Sequence, residues 1–183
     1  MKVLFLGHSL VEYYDWRERF PVHEVHNYGI AGETVGGLLA RVDGVAQAHP
    51  AADLVLVMTG TNDVLMGDRS YVAVYRLLME KLKGRWPSAR IVAFSVLPAH
   101  PEWIEVAAIA GINEELGGIV GEAGAEFSDL TRRFLDEAGH VRLELLLEDG
   151  VHLSGEGYRV WSKAVEELLE ETGSPAPPAT PAG

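Results

Sequence analysis

The sequence predicts an α/β protein in which helices cover both faces of a parallel sheet of about five strands. Two observations carry this expectation. Strand-length apolar runs alternate with helix-period segments about five times along the 183 residues, the pattern of strand–helix–strand crossovers that build a parallel sheet. The runs are also continuously apolar, most clearly LVLVM at 54–58, as strands buried on both faces must be. In open sheets of this kind, function sits outside the carboxyl ends of the strands. The residues that follow each strand therefore carry the functional reading.

Lys2 to Leu6 reads as a short buried strand ending at Gly7. Leu10 to Arg19 mixes apolar and charged residues and stops before Pro21, which predicts a helix. Val22 to Asn27 alternates and predicts the second strand, and Tyr28 to Gly32 a glycine-containing turn. A helix follows from about Thr34 through Arg41, and then the 54–58 strand. Apolar residues at Val74, Leu77, Leu78 and Leu82 have helical spacing within Tyr71 to Trp86, closed by Pro87. Arg90 to Ser95 is the fourth strand. Ile104 to Val120 is helix-like, although Gly111, Gly117 and Gly118 weaken it. Ala125 to Asp129 is the fifth strand. Val160 to Leu169 is the last helix, with Ser154 a cap upstream and Gly173 suited to its C-terminal stop.

Residues 1–173 are expected to form one domain. Residues 174–183 (SPAPPATPAG) are expected to be a disordered tail, since Pro and Ala dominate them without apolar periodicity. Apolar residues are 48% and charged residues 23% of the chain, an ordinary globular composition. With no cysteine, structural disulfides and thiolate metal sites are excluded. A formal net charge of −12 repels phosphate backbones and anionic lipid, so neither nucleic acid nor a membrane surface is an expected partner. No apolar run approaches the roughly 18 residues that span a bilayer, so stable membrane insertion is not expected. The opening apolar run is too short for a secretory signal, which makes a cytoplasmic protein the expectation.

Four segments at predicted strand ends carry reactive groups: Gly7-His8-Ser9, then NYGIAGET (27–34), then Thr59-Gly60-Thr61-Asn62-Asp63, and late in the chain Asp149-Gly150-Val151-His152. Together they contain the parts of an acyl-transfer site. A serine hydroxyl needs a base to take its proton, and His152 can serve. Asp149 can orient the His152 ring and stabilise its cation. The Ser9 amide, the Gly32 amide and the Asn62 carboxamide can donate to an oxyanion. A plainer reading exists for each: Ser9 as a helix N-cap, the glycines as turns, Asn62 as an Asx-turn, Asp149 and His152 as a surface pair. Gly29 keeps the turn reading, and Asp63 reads as a local cap or loop residue.

GHSL, NYGIAGET, GTND and DGVHLS resemble, in order, the sequence blocks of the GDSL-type esterases of the SGNH hydrolase superfamily, over roughly residues 1–172. The resemblance implies a flavodoxin-like three-layer α/β/α sandwich. It also implies Ser9 as nucleophile, Asp149 and His152 as its partners, and an oxyanion hole of Ser9, Gly32 and Asn62. No cofactor and no metal is implied. The expected substrate is a small carboxylic ester, a short acyl chain being favoured by the short loops and the lack of a long lid-like insertion. An acyltransferase or thioesterase using the same site is the alternative. Oligomeric state is not legible. Absence of GxGxxG and GxxxxGK[ST] argues against a nucleotide-binding module of similar fold.

Where the family usually has Asp, this chain has His8. His8 is expected to face away from the reacting carbonyl and to titrate close enough to Ser9 to affect the pH profile. His23 and His26 are three apart on a strand, point to opposite faces and should not share an ion. His49 and His140 read as surface residues, and His100, after the fourth strand, as a candidate for the pocket wall.

Overall fold

The computed structural model describes residues 1–173, so the segment 174–183 expected to be disordered lies outside the described residues. Strands β1 (Lys2–Gly7), β2 (Glu24–Gly29), β3 (Leu54–Met58), β4 (Arg90–Phe94) and β5 (Glu126–Ser128) form one sheet in the order β2-β1-β3-β4-β5. Every pairing is parallel. The period of two sorts its side chains. Val3, Phe5, Leu54, Leu56, Met58, Val92 and Phe94 enter one core, and Leu4, Leu6, Val55, Val57, Ile91 and Ala93 the other. Helices α2 (Trp16–Arg19) and α7 (Gly155–Gly173) cover the first face. Helices α3 (Val35–Ala48), α5 (Tyr71–Arg85) and α6 (Val106–Glu122) cover the second. The expected three-layer sandwich is present.

The single helix expected over 10–19 is instead two: α1 (Ser9–Glu12) and α2, with a break at Tyr13–Asp15. Long-range contacts cause the break. The Val11 carbonyl, which a continuing helix would pair with residue 15, accepts from Trp16 Nε1 at 2.9 Å and from Asn27 Nδ2 at 2.9 Å. Asn27 also reaches the Tyr14 carbonyl at 3.2 Å, and Asp15 caps the restarted helix by accepting from the Glu18 amide at 2.9 Å. Strand β2 lies two residues later than expected. Val22 is 84% exposed, and pairing begins at Glu24, whose amide donates to the Met1 carbonyl at 2.9 Å.

The buried stripe of α5 is Tyr71, Tyr75, Leu78, Met79 and Leu82. Leu77, expected on it, is exposed. Helix α6 survives its four glycines because Ile109, Ile112, Leu116, Ile119 and Val120 stay buried. At Gly117, a Cβ would come within 3.1 Å of the Phe127 ring. Helix α7 starts five residues before the expected Val160, and Ser154 Oγ accepts from the Gly157 amide at 3.3 Å as its cap. Helix α4 (Thr61–Leu65) and the 3₁₀ turns at Thr131–Phe134 and Leu143–Leu145 are too short to show a period, and the sequence did not predict them. Among the described residues no helix is long and apolar enough to cross a membrane.

An aromatic cluster joins α2, β1, β4 and α7. Trp16 stacks on Phe5 at 4.3 Å and meets Trp161 edge-on at 4.7 Å, and Trp161 in turn meets Phe94 at 5.6 Å. The Tyr158 hydroxyl donates to the Leu10 carbonyl at 3.0 Å. Since α7 follows directly on the 149–152 segment, this cluster sets where that segment lies relative to β1. Trp16→Ala removes a fully buried ring from its centre and should cost about 3–5 kcal/mol. Urea unfolding followed by circular dichroism checks this; a loss under 1 kcal/mol would show that the cluster is not the anchor of α7.

Candidate active site

The strand order reverses between β1 and β3, and a crevice opens at such a switch point outside the carboxyl ends. Gly7, the last residue of β1, pairs with Gly29 on one side and Met58 on the other. Three loops therefore leave the sheet at one level, carrying Ser9, Gly32 and Asn62. Ser9 is the first residue of α1 and is not its cap. His8 takes that position, its Nδ1 accepting from the Leu10 amide at 3.4 Å. The Ser9 hydroxyl points the other way, 2.9 Å from His152 Nε2.

His152 Nδ1 lies 2.7 Å from Asp149 Oδ2, completing a chain from carboxylate through imidazole to hydroxyl. The other oxygen, Oδ1, accepts from the Val151 and His152 amides, each at 2.9 Å. Burial opposes the Asp149 charge. The two amide bonds and the His152 ring outweigh burial and hold its carboxyl below the usual carboxylate range. The site is open to water: the side chains of His152 and Asp149 are 30% and 50% exposed.

The expected oxyanion donors stand out by elimination. In the 30–33 loop, Ile30 donates to the Gly7 carbonyl at 2.9 Å, Ala31 to Glu12 Oε2 at 2.7 Å and Glu33 to the Ile30 carbonyl at 3.1 Å. The Gly32 amide has no acceptor among the described residues. The same holds at Ser9, whose neighbours' amides are used by Met58 O, His8 Nδ1 and His8 O. Gly32 has φ +74 with nothing within 4 Å of a built Cβ, so glycine is required there by backbone conformation and not by lack of room. One Asn62 Nδ2 hydrogen goes to the Glu33 carbonyl at 2.8 Å, leaving the second free. Asp63 is a cap, as expected, though not a local one. It is buried and accepts from the Val35 amide at 3.1 Å, tying this loop to α3, and burial raises its pKa.

The expectation that His8 titrates beside Ser9 does not hold. Its ring turns inward and is 1% exposed. Burial and the neighbouring His152 lower its pKa to about 4, so it is neutral at working pH. The structure also gives a reason why Asp and His can stand at this position: each places an acceptor over the first turn of α1.

Sequence reasoning missed three contributors. Tyr13, 57% exposed, lies over the His152 ring at 5.4 Å. Trp103, 61% exposed, donates through Nε1 to the Asp149 carbonyl at 3.1 Å. Arg41 grips both Glu33 oxygens at 2.5 and 2.6 Å and the Tyr28 carbonyl at 2.6 Å, which fixes the Gly32 loop. None has a motif of its own; two aromatics in loops near strand ends were the available signal. His100 does stand at the site, as considered, packed against the Asp149–Gly150 turn. Its amide donates to the Gly150 carbonyl at 2.7 Å. A Cβ on Gly150 (φ +70) would fall 2.4 Å from the His100 Cβ.

A family model described as the GDSL-like lipase/acylhydrolase family matches residues 6–160. Platelet-activating factor acetylhydrolase IB subunit alpha1 of Homo sapiens is 28% identical over 194 residues, covering 99% of this chain and 83% of the relative. A solved structure from Streptococcus pneumonia, named for platelet activating factor, superposes with a TM-score of 0.81 at 27% identity, covering 91% of this chain and 83% of that one. The lipase/acylhydrolase from Enterococcus faecalis superposes at 0.78 with 18% identity, covering 96% and 98%, a likeness of fold.

Buried neutral His8 makes stability depend on pH. Its folded pKa is about 4 and its unfolded value about 6.5. The unfolded chain therefore binds a proton that the folded one refuses. The stability is complete above pH 6.5 and is lost as pH falls toward 4, by about 3 kcal/mol in all. His8→Asn keeps an acceptor for the cap and should flatten this acid limb by that amount, with little change at pH 7.5. Urea titrations at several pH values check it, and an unaltered slope would mean that His8 is not the group responsible.

Proposed function

The chain belongs to the GDSL-like lipase/acylhydrolase family and is an ester-hydrolysing enzyme, and from that premise we propose that it cleaves small carboxylic esters through an acyl-enzyme on Ser9. The observation that carries the proposal is the unbroken Asp149–His152–Ser9 chain, at 2.7 and 2.9 Å, joining residues 143 positions apart. Ser9 Oγ attacks the ester carbonyl while His152 Nε2 takes its proton, and Asp149 holds the ring and stabilises the cation. The carbonyl oxygen, now negative, is met by the Ser9 and Gly32 amides and Asn62 Nδ2. His152 returns the proton to the departing alcohol. It then deprotonates a water that attacks the acyl-serine, and the collapse releases the acid and restores Ser9.

A short acyl group, acetyl in particular, is supported by two things. The 28%-identical relatives are acetylhydrolases by name. The connections after β1 and β3 enter helices within three residues, so neither of these two loops is long enough to enclose a fatty chain. A net charge of −12 fits a small neutral ester better than a polyanion.

The test is a series of p-nitrophenyl esters from acetate to palmitate. We expect kcat/KM to be greatest at acetate and to fall with chain length. Ser9→Ala should be reduced to background, and a fluorophosphonate should add to Ser9 alone. Labelling at Ser95 or Ser154 would overturn the nucleophile, and a palmitate optimum the acyl preference. Faster cleavage of the matching thioester, or acyl transfer to an added alcohol or amine, would establish the alternative activities.

The oxyanion donors are tested separately. Interactions made mainly in the transition state lower the barrier without tightening substrate binding. Asn62→Ala should therefore lower kcat by on the order of 10²–10³ with KM little changed, because two amides remain. A rise in KM alone would move Asn62 to substrate binding.

A further inference from the structure

Sequence spacing separates His23 from His26, and the two do not meet. His26 has another partner. Across the outer edge of the sheet, its ring lies 4.0 Å from that of His49, the residue that ends α3. Glu24, two residues before His26 on the same face of β2, completes a group. One ligand atom from each of Glu24, His26 and His49 lies within 4.8 Å of the others. His49, expected on the surface, is half-buried and held in place.

We propose that Glu24, His26 and His49 form a binding site for one divalent transition metal ion of the zinc class, a site separate from the ester-cleaving one. Two imidazoles and a carboxylate are a nitrogen-rich set that suits zinc and its neighbours rather than calcium or magnesium. The geometry is close to what coordination needs. Metal bonds of 2.0–2.1 Å at tetrahedral angles put donors about 3.3 Å apart, and His26 Nε2 and Glu24 Oε1 are 3.0 Å apart.

His49 is also preorganised as a ligand. Its amide donates to the Val45 carbonyl at 2.8 Å, and its own carbonyl accepts from Trp86 Nε1 at 2.8 Å. Its Nε2 is 2.8 Å from the Tyr28 hydroxyl, a second contact that fixes the ring. A metal-bound histidine commonly has such a partner on its other nitrogen. Lys2 competes for Glu24 at 3.1 Å, but the pair is exposed and screened by solvent.

His26 pairs with Leu4, three residues before Gly7 reaches the carboxyl edge, which is about 10 Å along the strands. The ion would clip the edge strand β2 to the end of α3, on a part of the sheet remote from Ser9.

The test uses untagged whole protein, freed of metal by chelation, titrated with zinc chloride by calorimetry. We expect one zinc per chain, with affinity lowered at least tenfold in the His26→Ala/His49→Ala double variant and unchanged in His152→Ala. Circular dichroism confirms folding of each, and Glu24→Gln, a milder change at an exposed position, should weaken binding in the same direction. Cobalt should give the visible absorption of a four-coordinate ion in the wild type and lose it in the double variant. Equal zinc affinity in wild type and double variant, loss of binding in His152→Ala, or no stoichiometric zinc in the wild type would each overturn the proposal.

Discussion

The register at the middle of the sheet is the constraint on which the rest depends. Gly7 faces Gly29 and Met58 in adjacent parallel strands, so three loops leave at one height. A slip of one residue would reverse the facing of every side chain in the strand. The alternation that sends Phe5 to one core and Leu4 and Leu6 to the other prevents it. The site therefore inherits its alignment from hydrophobic burial, and none of its own polar contacts has to supply it.

What the polar contacts supply is selection among donors. Around Ser9 and Gly32 the backbone amides are nearly all spent, on carbonyls, on Glu12 and on the His8 ring. Two are left over, those of Ser9 and Gly32, the residues proposed as oxyanion donors. Glu33 is the hub of this arrangement. Its carboxylate binds Arg41, and its carbonyl binds Asn62. The loop that offers the Gly32 amide and the side chain that offers a third donor are thus parts of one hydrogen-bonded unit. A charge buried with such a bidentate partner holds geometry well, because losing either partner strands the other.

The imidazole and carboxylate arrive by a different route. They precede α7, which is bound to the β1 side through Trp161 against Trp16 and through the Tyr158–Leu10 hydrogen bond. Tyr13 contacts the His152 ring, and Trp103 donates to the Asp149 carbonyl. His8 lies beneath, neutral because it is buried and because a charge there would oppose His152. A neutral floor leaves Asp149, the carboxylate hydrogen-bonded to His152, to set the field that the imidazole feels.

From sequence alone came the features that are local or periodic. The alternation of strands and helices, the four segments at strand ends, and the residues Ser9, Gly32, Asn62, Asp149 and His152 were all legible, because burial leaves a period and reactive groups cluster where strands stop. The pattern of helix α6 survived even its glycines. Tertiary structure decided what depends on distant partners. It broke the 10–19 helix, since Trp16 and Asn27 claim the Val11 carbonyl. It turned His8 inward and set His49 against His26. It chose which amides stay free. A hydrogen bond between residues 143 apart leaves no mark on the residues near either end, so only the packed chain could show that Ser9 and His152 meet.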